Sequence, residues 1–131
     1  MPRAATTLGL QLVDADIEAG TIELAFQATD DFTNPTGNVL GAFLAAMLYD
    51  TVGPALLATL EPTQFQTTLD LNVRFLNPVR PGRLTGRARI VHRRGDLVSL
   101  EAALLDEAGT TVATATATAM VIPLEEAVLA A

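Results

Sequence analysis

Residues 39–53 read VLGAFLAAMLYDTVG, and this stretch decides the fold. It is rich in Ala, Leu and Met and poor in β-branched residues, a composition that favours a helix. Gly37-Asn38 stands just before it and can supply the N-cap, while Gly53-Pro54 marks a kink or an end. The predicted helix is apolar on nearly every side, so the rest of the protein must cover it all round.

The chain after the helix alternates apolar and polar residues with a period of two, which is typical of half-buried strands. Four strands are predicted, with short turns between them: TTLDLNVRFL (67–76), RLTGRARIVH (83–92), LVSLEAALLD (97–106) and TTVATATATAMVI (110–122). In the first strand one predicted face holds Leu69, Leu71, Val73 and Phe75, and the other holds Thr68, Asp70, Asn72 and Arg74. The last strand could also be a helix because Ala favours helix, but its Thr content and strict alternation favour a strand.

The chain before the helix is predicted to form a hairpin followed by a loop. Residues 21–28 (TIELAFQA) alternate strictly, and residues 8–14 are their hairpin partner across the Glu18-Ala19-Gly20 turn. A polar loop, TDDFTNPTGN, then leads to the helix. With 131 residues and neither linker nor repeat, the chain is expected to be a single α+β domain, an antiparallel sheet wrapped around one long buried helix.

Composition removes several classes of function. The chain has no Cys and one His, which excludes thiolate nucleophiles, disulfide scaffolds, Cys-ligated zinc and the usual multi-histidine metal sites. The net charge of −7 disfavours nucleic acid as a partner. The N-terminal residues lack the apolar segment of a signal peptide, and the uninterrupted apolar part of the helix is shorter than a membrane span. A cytoplasmic protein with no membrane partner is therefore expected.

All eight cationic residues are Arg, and seven of them follow residue 73. One interpretation of this cluster is the solvated face of a strand pair. The other is a local anion site for a ligand that carries phosphate.

Five groups of residues follow one another along the chain: Asn34-Pro35-x-Gly37, Gly41-x-Phe43-Leu44-Ala45-Ala46-Met47-Leu48-x-Asp50, TTLDLNVRFLNPV (67–79), PGRL (81–84) and VATATA (112–117). In this order and spacing they resemble the hotdog fold, and within it the PaaI-like (phenylacetyl-CoA type) acyl-CoA thioesterases. The resemblance covers residues 20–122. It implies hydrolysis of an acyl-CoA thioester to free acid and CoA, without metal or organic cofactor, at a site between the subunits of a homodimer or homotetramer.

The resemblance also implies roles for single residues. The backbone N–H of Gly41, at the helix start, would polarise the thioester carbonyl. A helix carboxylate would act as base or nucleophile, and Asn34 and Thr68 would position it or the water. The candidate substrate contacts are Leu40, Ala42 and Phe43, and the candidate contacts for the CoA phosphates are Arg80, Arg83, Arg93 and Arg94, since guanidinium binds phosphate through two hydrogen bonds.

The helix departs from the family pattern at three positions. Asn34 and Gly41 are seven residues apart, as in the family, and the helix carboxylate then falls on Tyr49, with Asp50 next to it. Leu40 stands where the family usually has His or Gln, and Ala42 where it usually has Gly. A phenol is a poorer base than a carboxylate at neutral pH. One residue along a helix turns a side chain by about 100°, so Asp50 does not simply replace the missing carboxylate.

Three interpretations are open. In the first, a working thioesterase uses Asp50, or a bound water, from its own position. In the second, the alignment is shifted by one residue and Asp50 is the catalytic carboxylate itself. In the third, the site has been lost or rebuilt, naturally or by engineering, into a more apolar pocket with Tyr49 as its polar group, and it binds an apolar ligand or catalyses a different reaction. Asp50 and Tyr49 are both candidate catalytic residues.

Overall fold

The computed structural model of the protein describes residues 1–130. The elements, in chain order, are α1 (Arg3–Thr7), β1 (Gln11–Asp16), β2 (Thr21–Ala28), α2 (Gly41–Leu57), β3 (Gln64–Phe75), β4 (Gly82–Arg94), β5 (Leu97–Leu105), β6 (Thr111–Pro123) and α3 (Leu124–Ala130). A single 3-10 turn, Asp30–Phe32, lies in the loop between β2 and α2. The predicted hairpin, long helix and four later strands are all present. Within the described residues, no helix is long and apolar enough to span a membrane.

The six strands form one antiparallel sheet in the order β1-β2-β4-β5-β6-β3. β1 and β3 are the edges of the sheet, and α2 packs against one face, where it contacts β2 through β6. The hairpin of β1 and β2 turns where the sequence predicts, and Asp16 Oδ1 accepts a hydrogen bond from the N–H of Ala19 (3.0 Å) in that turn. This is the hotdog architecture that the resemblance implies.

The core lies between α2 and the sheet. Buried side chains of α2 recur every three or four residues and so form one face of the helix: Leu44, Met47, Leu48, Thr51, Val52, Ala55 and Leu56. Thr51 is polar, and its Oγ1 donates to the carbonyl of Met47 (2.7 Å). Gly86 of β4 leaves room for it, because a methyl group on Gly86 would stand 2.5 Å from Thr51 Oγ1. Gly86 therefore allows the middle of α2 to approach the sheet closely.

α2 begins later than the sequence predicts. Gly37-Asn38 does not cap the helix; the N-cap residue is Leu40, whose backbone is extended. The N–H groups of Val39 and Leu40 donate to the carbonyls of Val79 (2.8 Å) and Phe32 (2.7 Å). These bonds join the residues before Gly41 to other segments of the fold, and this keeps them out of the helix.

α2 also continues past its predicted end. The helix passes Pro54 and ends at Leu57. Pro54 has no N–H to donate to the carbonyl of Asp50, four residues earlier. Ala55 and Leu56 are buried in the core, and their packing offsets the missing hydrogen bond.

The expectation that the fold covers α2 all round is wrong for a single chain. Ala42 and Tyr49 are seven residues apart on one side of the helix, and Tyr49 is 50% exposed. Leu57, on the last turn, is 40% exposed. The sheet covers only the opposite side of α2, so an apolar strip of the helix is left uncovered by its own chain.

The predicted division of β3 into two faces holds for residues 70–75, but it is wrong for Thr68, because β3 has a β-bulge at Leu69. Thr68 lies opposite Ala119 and Asp70 lies opposite Thr118, so two consecutive residues of β6 face two residues of β3 that are not consecutive. Ala119 is a core residue, which places Thr68 on the side of the sheet that faces α2. Asp70 is on the outer side, and its Oδ1 accepts a hydrogen bond from the N–H of Thr118 (3.1 Å) at the bulge.

Candidate active site

The loop before α2 is organised by one amide side chain. Asn34 Oδ1 accepts hydrogen bonds from the N–H of Thr36 (3.0 Å), from Thr36 Oγ1 (2.7 Å) and from the N–H of Asn38 (3.0 Å). The backbone closes the same loop, since the N–H of Asn34 donates to the carbonyl of Asn38 (2.7 Å). The Nδ2 group of Asn34 has no hydrogen-bond partner among the described residues, so it can still donate to a ligand.

Two backbone N–H groups are free where α2 begins. The preceding three, of Asn38, Val39 and Leu40, all donate to acceptors within the fold. The next two, of Gly41 and Ala42, have no acceptor in the part of the chain that the structure describes. They are the first donors of the helix and lie at the positive end of its dipole. A carbonyl oxygen that gains negative charge would find two donors here.

Apolar side chains surround these two donors. The ring of Phe75, at the end of β3, lies against Gly41 and is 57% exposed. Leu40 is also exposed. Phe43 differs from them, because its ring stacks on Phe32 with centroids 4.2 Å apart and an angle of 6°. A ligand that reaches the free N–H groups would therefore contact Phe75 and Leu40. One face of the Phe43 ring is less available, because Phe32 covers it.

Asp50 and Tyr49 lie near the middle of α2. The Tyr49 side chain is half exposed, whereas Asp50 is more deeply set. Within the described residues the Asp50 carboxylate accepts no hydrogen bond, and burial raises its pKa above the ordinary value by desolvation. A partly buried carboxyl group without a partner is typical of functional sites more than of stabilising contacts.

Thr68 is linked to α2 through Gln66. The Thr68 Oγ1 donates to Gln66 Oε1 (3.3 Å), and the Gln66 amide lies against α2 at Gly53. A methyl group on Gly53 would stand 3.0 Å from Gln66 Nε2. Gly53 follows Asp50 by three residues, or about one helical turn. The bulge at Leu69 makes this arrangement possible, because it turns Thr68 toward the helix.

A single chain does not bring the predicted catalytic residues together. We call the candidates Asn34 and Gly41 the start half-site, and the candidates Tyr49, Asp50 and Thr68 the middle half-site. Gly41 and Asp50 are nine residues apart on one helix, which corresponds to about 13 Å along its axis. A donor to the carbonyl oxygen and a base for the attacking water are separated only by the carbonyl group and the water, with contacts of roughly 3 Å at each step. The two half-sites of one chain are therefore not expected to act on the same carbonyl group.

The candidate phosphate contacts lie in two places. Arg80 contacts the loop before α2 and Arg83 is near the start of β4, whereas Arg93 and Arg94 are at the turn between β4 and β5. All four side chains are exposed. Arg80 Nη1 donates to the carbonyl of Thr36 (3.0 Å), and Arg93 Nε donates to that of Gly95 (2.9 Å). The two groups are at opposite ends of β4, so one chain does not gather them around one phosphate.

Sequence reasoning missed two residues near the candidate site. Phe75 is predicted only as one of four apolar residues on one face of a strand, but its ring lies against Gly41, beside the two N–H groups at the start of α2. Gln66 precedes the predicted strand, which starts at residue 67, although β3 starts at Gln64. The alternation of Gln66 with Thr68 was the available signal, because it extends the period of two backward by one step.

Comparison with known proteins agrees with this architecture. The sequence profile of the thioesterase superfamily matches residues 36–118. A phenylacetic acid degradation-related protein of Ralstonia eutropha JMP134 has 43% sequence identity and a TM-score of 0.89, with 92% of this chain and 90% of that chain covered. Two more distant structures share the fold. A thioesterase of Haemophilus influenzae has 24% identity and a TM-score of 0.85 over 92% of this chain and 83% of its own. The PaaI protein of the Escherichia coli phenylacetic acid degradation operon has 18% identity and a TM-score of 0.84 over 92% and 85%.

No curated protein sequence matches the chain. The family profile covers more than half of the residues and includes the start of α2, Tyr49, Asp50 and Thr68. The predicted class of enzyme, a hydrolase of thioester bonds, is confirmed at the level of the family. The chain belongs to the thioesterase superfamily.

Proposed function

We propose that the protein hydrolyses an acyl-CoA thioester to the free acid and CoA. The observation that carries the proposal is the pair of free N–H groups of Gly41 and Ala42, after three consecutive N–H groups that all have acceptors. Two donors fixed by a helix start suit the oxygen of a thioester carbonyl, which becomes negative when a nucleophile attacks. The Asn34 Nδ2 group lies in the loop that leads to these donors and would orient the attacking water.

Asp50 is the proposed base. Its carboxylate takes a proton from water, and the oxygen of that water forms a bond to the carbonyl carbon. The tetrahedral intermediate then breaks its C–S bond, and the CoA thiolate leaves and takes back the proton from the Asp50 carboxyl group, which restores the carboxylate. The hydroxyl group of Thr68 would help to hold the water. The proposed sequence uses no metal and no organic cofactor: Asp50 supplies the base, and the N–H groups of Gly41 and Ala42 stabilise the negative oxygen.

The complete site would lie between two copies of the chain. The start half-site of one protomer would meet the middle half-site of its partner, since the two half-sites of one protomer are about 13 Å apart. The uncovered strip of α2 and the β3 edge, with exposed Leu69, Phe75 and Leu76, offer apolar surface for such a contact. The proposed assembly is a homodimer, or a homotetramer of two such dimers.

The substrate contacts follow from the same arrangement. Leu40, Ala42 and Phe43 would meet the acyl group or the thioester, and Arg83, Arg93 and Arg94 would bind the CoA phosphates. Arg80 already holds the loop before α2. The proposed compartment is the cytoplasm, and a chain without Cys has no disulfide that would require an oxidising environment.

Release of free CoA tests the proposal directly. Short-chain, aromatic and long-chain acyl-CoA esters would be supplied, and the thiol product would be followed with a thiol reagent. We expect turnover of at least one class, loss of turnover in Asp50→Asn, and wild-type turnover in Glu18→Gln, which removes an exposed carboxylate in the β1–β2 turn. Absence of turnover above background for every ester would contradict the proposal.

A second candidate function follows from Tyr49. Its half-exposed phenol lies on the uncovered side of α2 at the position where the resemblance expects a carboxylate. A site rebuilt in this way would bind an apolar ligand, or catalyse a different reaction, with Tyr49 as its polar group. Tyr49→Asp distinguishes the two candidates: thioesterase activity that appears or rises by orders of magnitude would indicate a rebuilt site, and an unchanged rate would favour Asp50 as the working base.

A further inference from the structure

The Arg80 side chain reaches from the connection between β3 and β4 to the loop before α2. Its Nη1 donates to the carbonyl of Thr36 (3.0 Å), and one residue earlier the carbonyl of Val79 accepts from the N–H of Val39 (2.8 Å). A backbone bond and a side-chain bond therefore join the same two segments. One segment leads directly to Gly41, and the other follows directly from Phe75.

Gly37 shows how closely the guanidinium group fits this loop. A methyl group on Gly37 would overlap with Arg80 Nη1, and the φ of Gly37 is 82°, a value that favours glycine. Glycine at position 37 therefore suits both the positive φ of the turn and the position of the Arg80 side chain. The Arg80 guanidinium group therefore lies in the space that a side chain at position 37 would take.

We propose that Arg80 is a positioning residue of the thioesterase site, which holds the start half-site in place instead of binding a CoA phosphate. The inference rests on the proposed function. Through Thr36, Arg80 fixes the loop that carries Asn34, and with the Val79 bond it fixes where the N–H groups of Gly41 and Ala42 stand relative to Phe75. Without the Arg80 hydrogen bond to Thr36, the donors for the thioester carbonyl would be misplaced. Small displacements of such groups lower the reaction rate by large factors.

Two substrates with the same acyl group separate positioning from phosphate binding. One is an acyl-CoA that the wild type hydrolyses, and the other is the N-acetylcysteamine thioester of the same acid, which has no phosphate. We expect Arg80→Ala to lower kcat about tenfold on both substrates and to change KM by less than about twofold. Arg87→Ala is the matched control: it removes the same charge from an exposed arginine that pairs with Glu23 on another part of the sheet, and kcat should stay at the wild-type value.

Other results would overturn the assignment. A higher KM for the CoA ester alone, with the N-acetylcysteamine ester unaffected, would show that Arg80 binds phosphate. Unchanged kinetics on both esters would show that it does neither.

Amide hydrogen exchange tests the positioning role of Arg80 without a measurement of enzyme activity. Arg80→Ala should speed exchange at Asn38 and Val39, whose N–H groups donate to Asn34 Oδ1 and to the carbonyl of Val79, by about tenfold, with the buried turns of α2 unchanged. If the wild type hydrolyses no acyl-CoA, the proposed function fails and exchange alone decides the role of Arg80. Unchanged exchange at both residues would overturn that role.

Discussion

The ring of Phe75 lies so close to Gly41 that a methyl group on Gly41 would stand 3.1 Å from Phe75 Cε1. Gly41 has no positive φ, so the backbone conformation alone does not require glycine there. The space for a side chain is nevertheless limited, because an aromatic ring from the end of β3 lies beside Gly41. This contact sets how much room a ligand finds beside the free N–H groups at the start of α2.

We expect Gly41→Ala to lower kcat/KM by about tenfold while the free energy of unfolding changes by less than about 1 kcal/mol. Ala favours a helix more than Gly does, which offsets part of the crowding, and the exposed Phe75 ring can turn away. The ring then moves into the space that the substrate needs. Steady-state kinetics and thermal unfolding of the same preparation measure the two effects.

Phe75→Ala supplies the matched control for this contact. In the double variant Gly41→Ala/Phe75→Ala the methyl group meets no ring, so activity should return to that of Phe75→Ala alone. Such non-additivity is expected for two residues in direct contact. If Gly41→Ala is fully active by itself, the space beside the N–H groups is not part of the site.

Asp50→Asn is expected to lower kcat by roughly 10²–10⁴-fold, the usual contribution of a general base, while Tyr49→Phe stays within about threefold of the wild type. Burial raises the pKa of the Asp50 carboxyl, so the acid limb of the wild-type pH–rate profile should lie above the ordinary Asp value of about 3.9. Both variants would be measured on one acyl-CoA across pH. The reverse ranking, with Tyr49→Phe inactive and Asp50→Asn active, would favour the rebuilt site.

The same carboxyl group links stability to pH. Because burial raises its pKa in the folded protein, the folded state binds the Asp50 proton more tightly than the unfolded chain does. Its favourable contribution is complete below the ordinary Asp pKa and is lost as the pH rises through the raised value. At neutral pH the fold holds a partly desolvated charge, which costs free energy.

Asp50→Asn should therefore raise the unfolding midpoint at pH 7, and the difference from the wild type should shrink as the pH falls toward about 3.9. Denaturant unfolding at several pH values measures this trend. A variant that is less stable than the wild type at neutral pH would show that the charged form of Asp50 is satisfied in the assembled protein.

Mixed oligomers test whether two chains build the site. Asn34→Ala damages the start half-site and Asp50→Asn the middle half-site, and each variant alone should be inactive. In a mixed dimer the undamaged halves of the two chains meet at one of the two sites. Co-refolding equal amounts should therefore recover about a quarter of the wild-type activity, since half of the dimers are mixed. No recovery in verified mixed dimers would place the whole site within one chain.

Much of the fold follows from local pattern. The run of Ala, Leu and Met in residues 39–53 predicts the helix, and the change to a period of two predicts four of the strands. The family resemblance implies donors at the start of the helix, and the N–H groups of Gly41 and Ala42 have no acceptor among the described residues. The exact boundaries were wrong, however, because Val39 and Leu40 donate to the carbonyls of Val79 and Phe32 instead of starting the helix.

The alternation of apolar and polar residues along β3 does not predict which side of the sheet the Thr68 side chain faces. A strict period of two groups Thr68 with Asp70, but the bulge at Leu69 puts them on opposite sides of the sheet. The bulge depends on how β3 pairs with β6, about 50 residues later in the chain. Gln66 reaches the helix at Gly53 for the same reason, and only the paired strand brings its amide there.

The sequence by itself determined the family, the order of the hairpin, the long helix and the four later strands, and the absence of Cys and of multi-histidine chemistry, because these depend on residue types and on their local period. Only the tertiary structure decided which N–H groups at the start of α2 have acceptors, and that the bulge in β3 turns Thr68 toward α2. It also decided that one side of α2 lacks cover from its own chain. Hydrogen-bond partners and distances arise between segments that are far apart in sequence, and no local pattern records them.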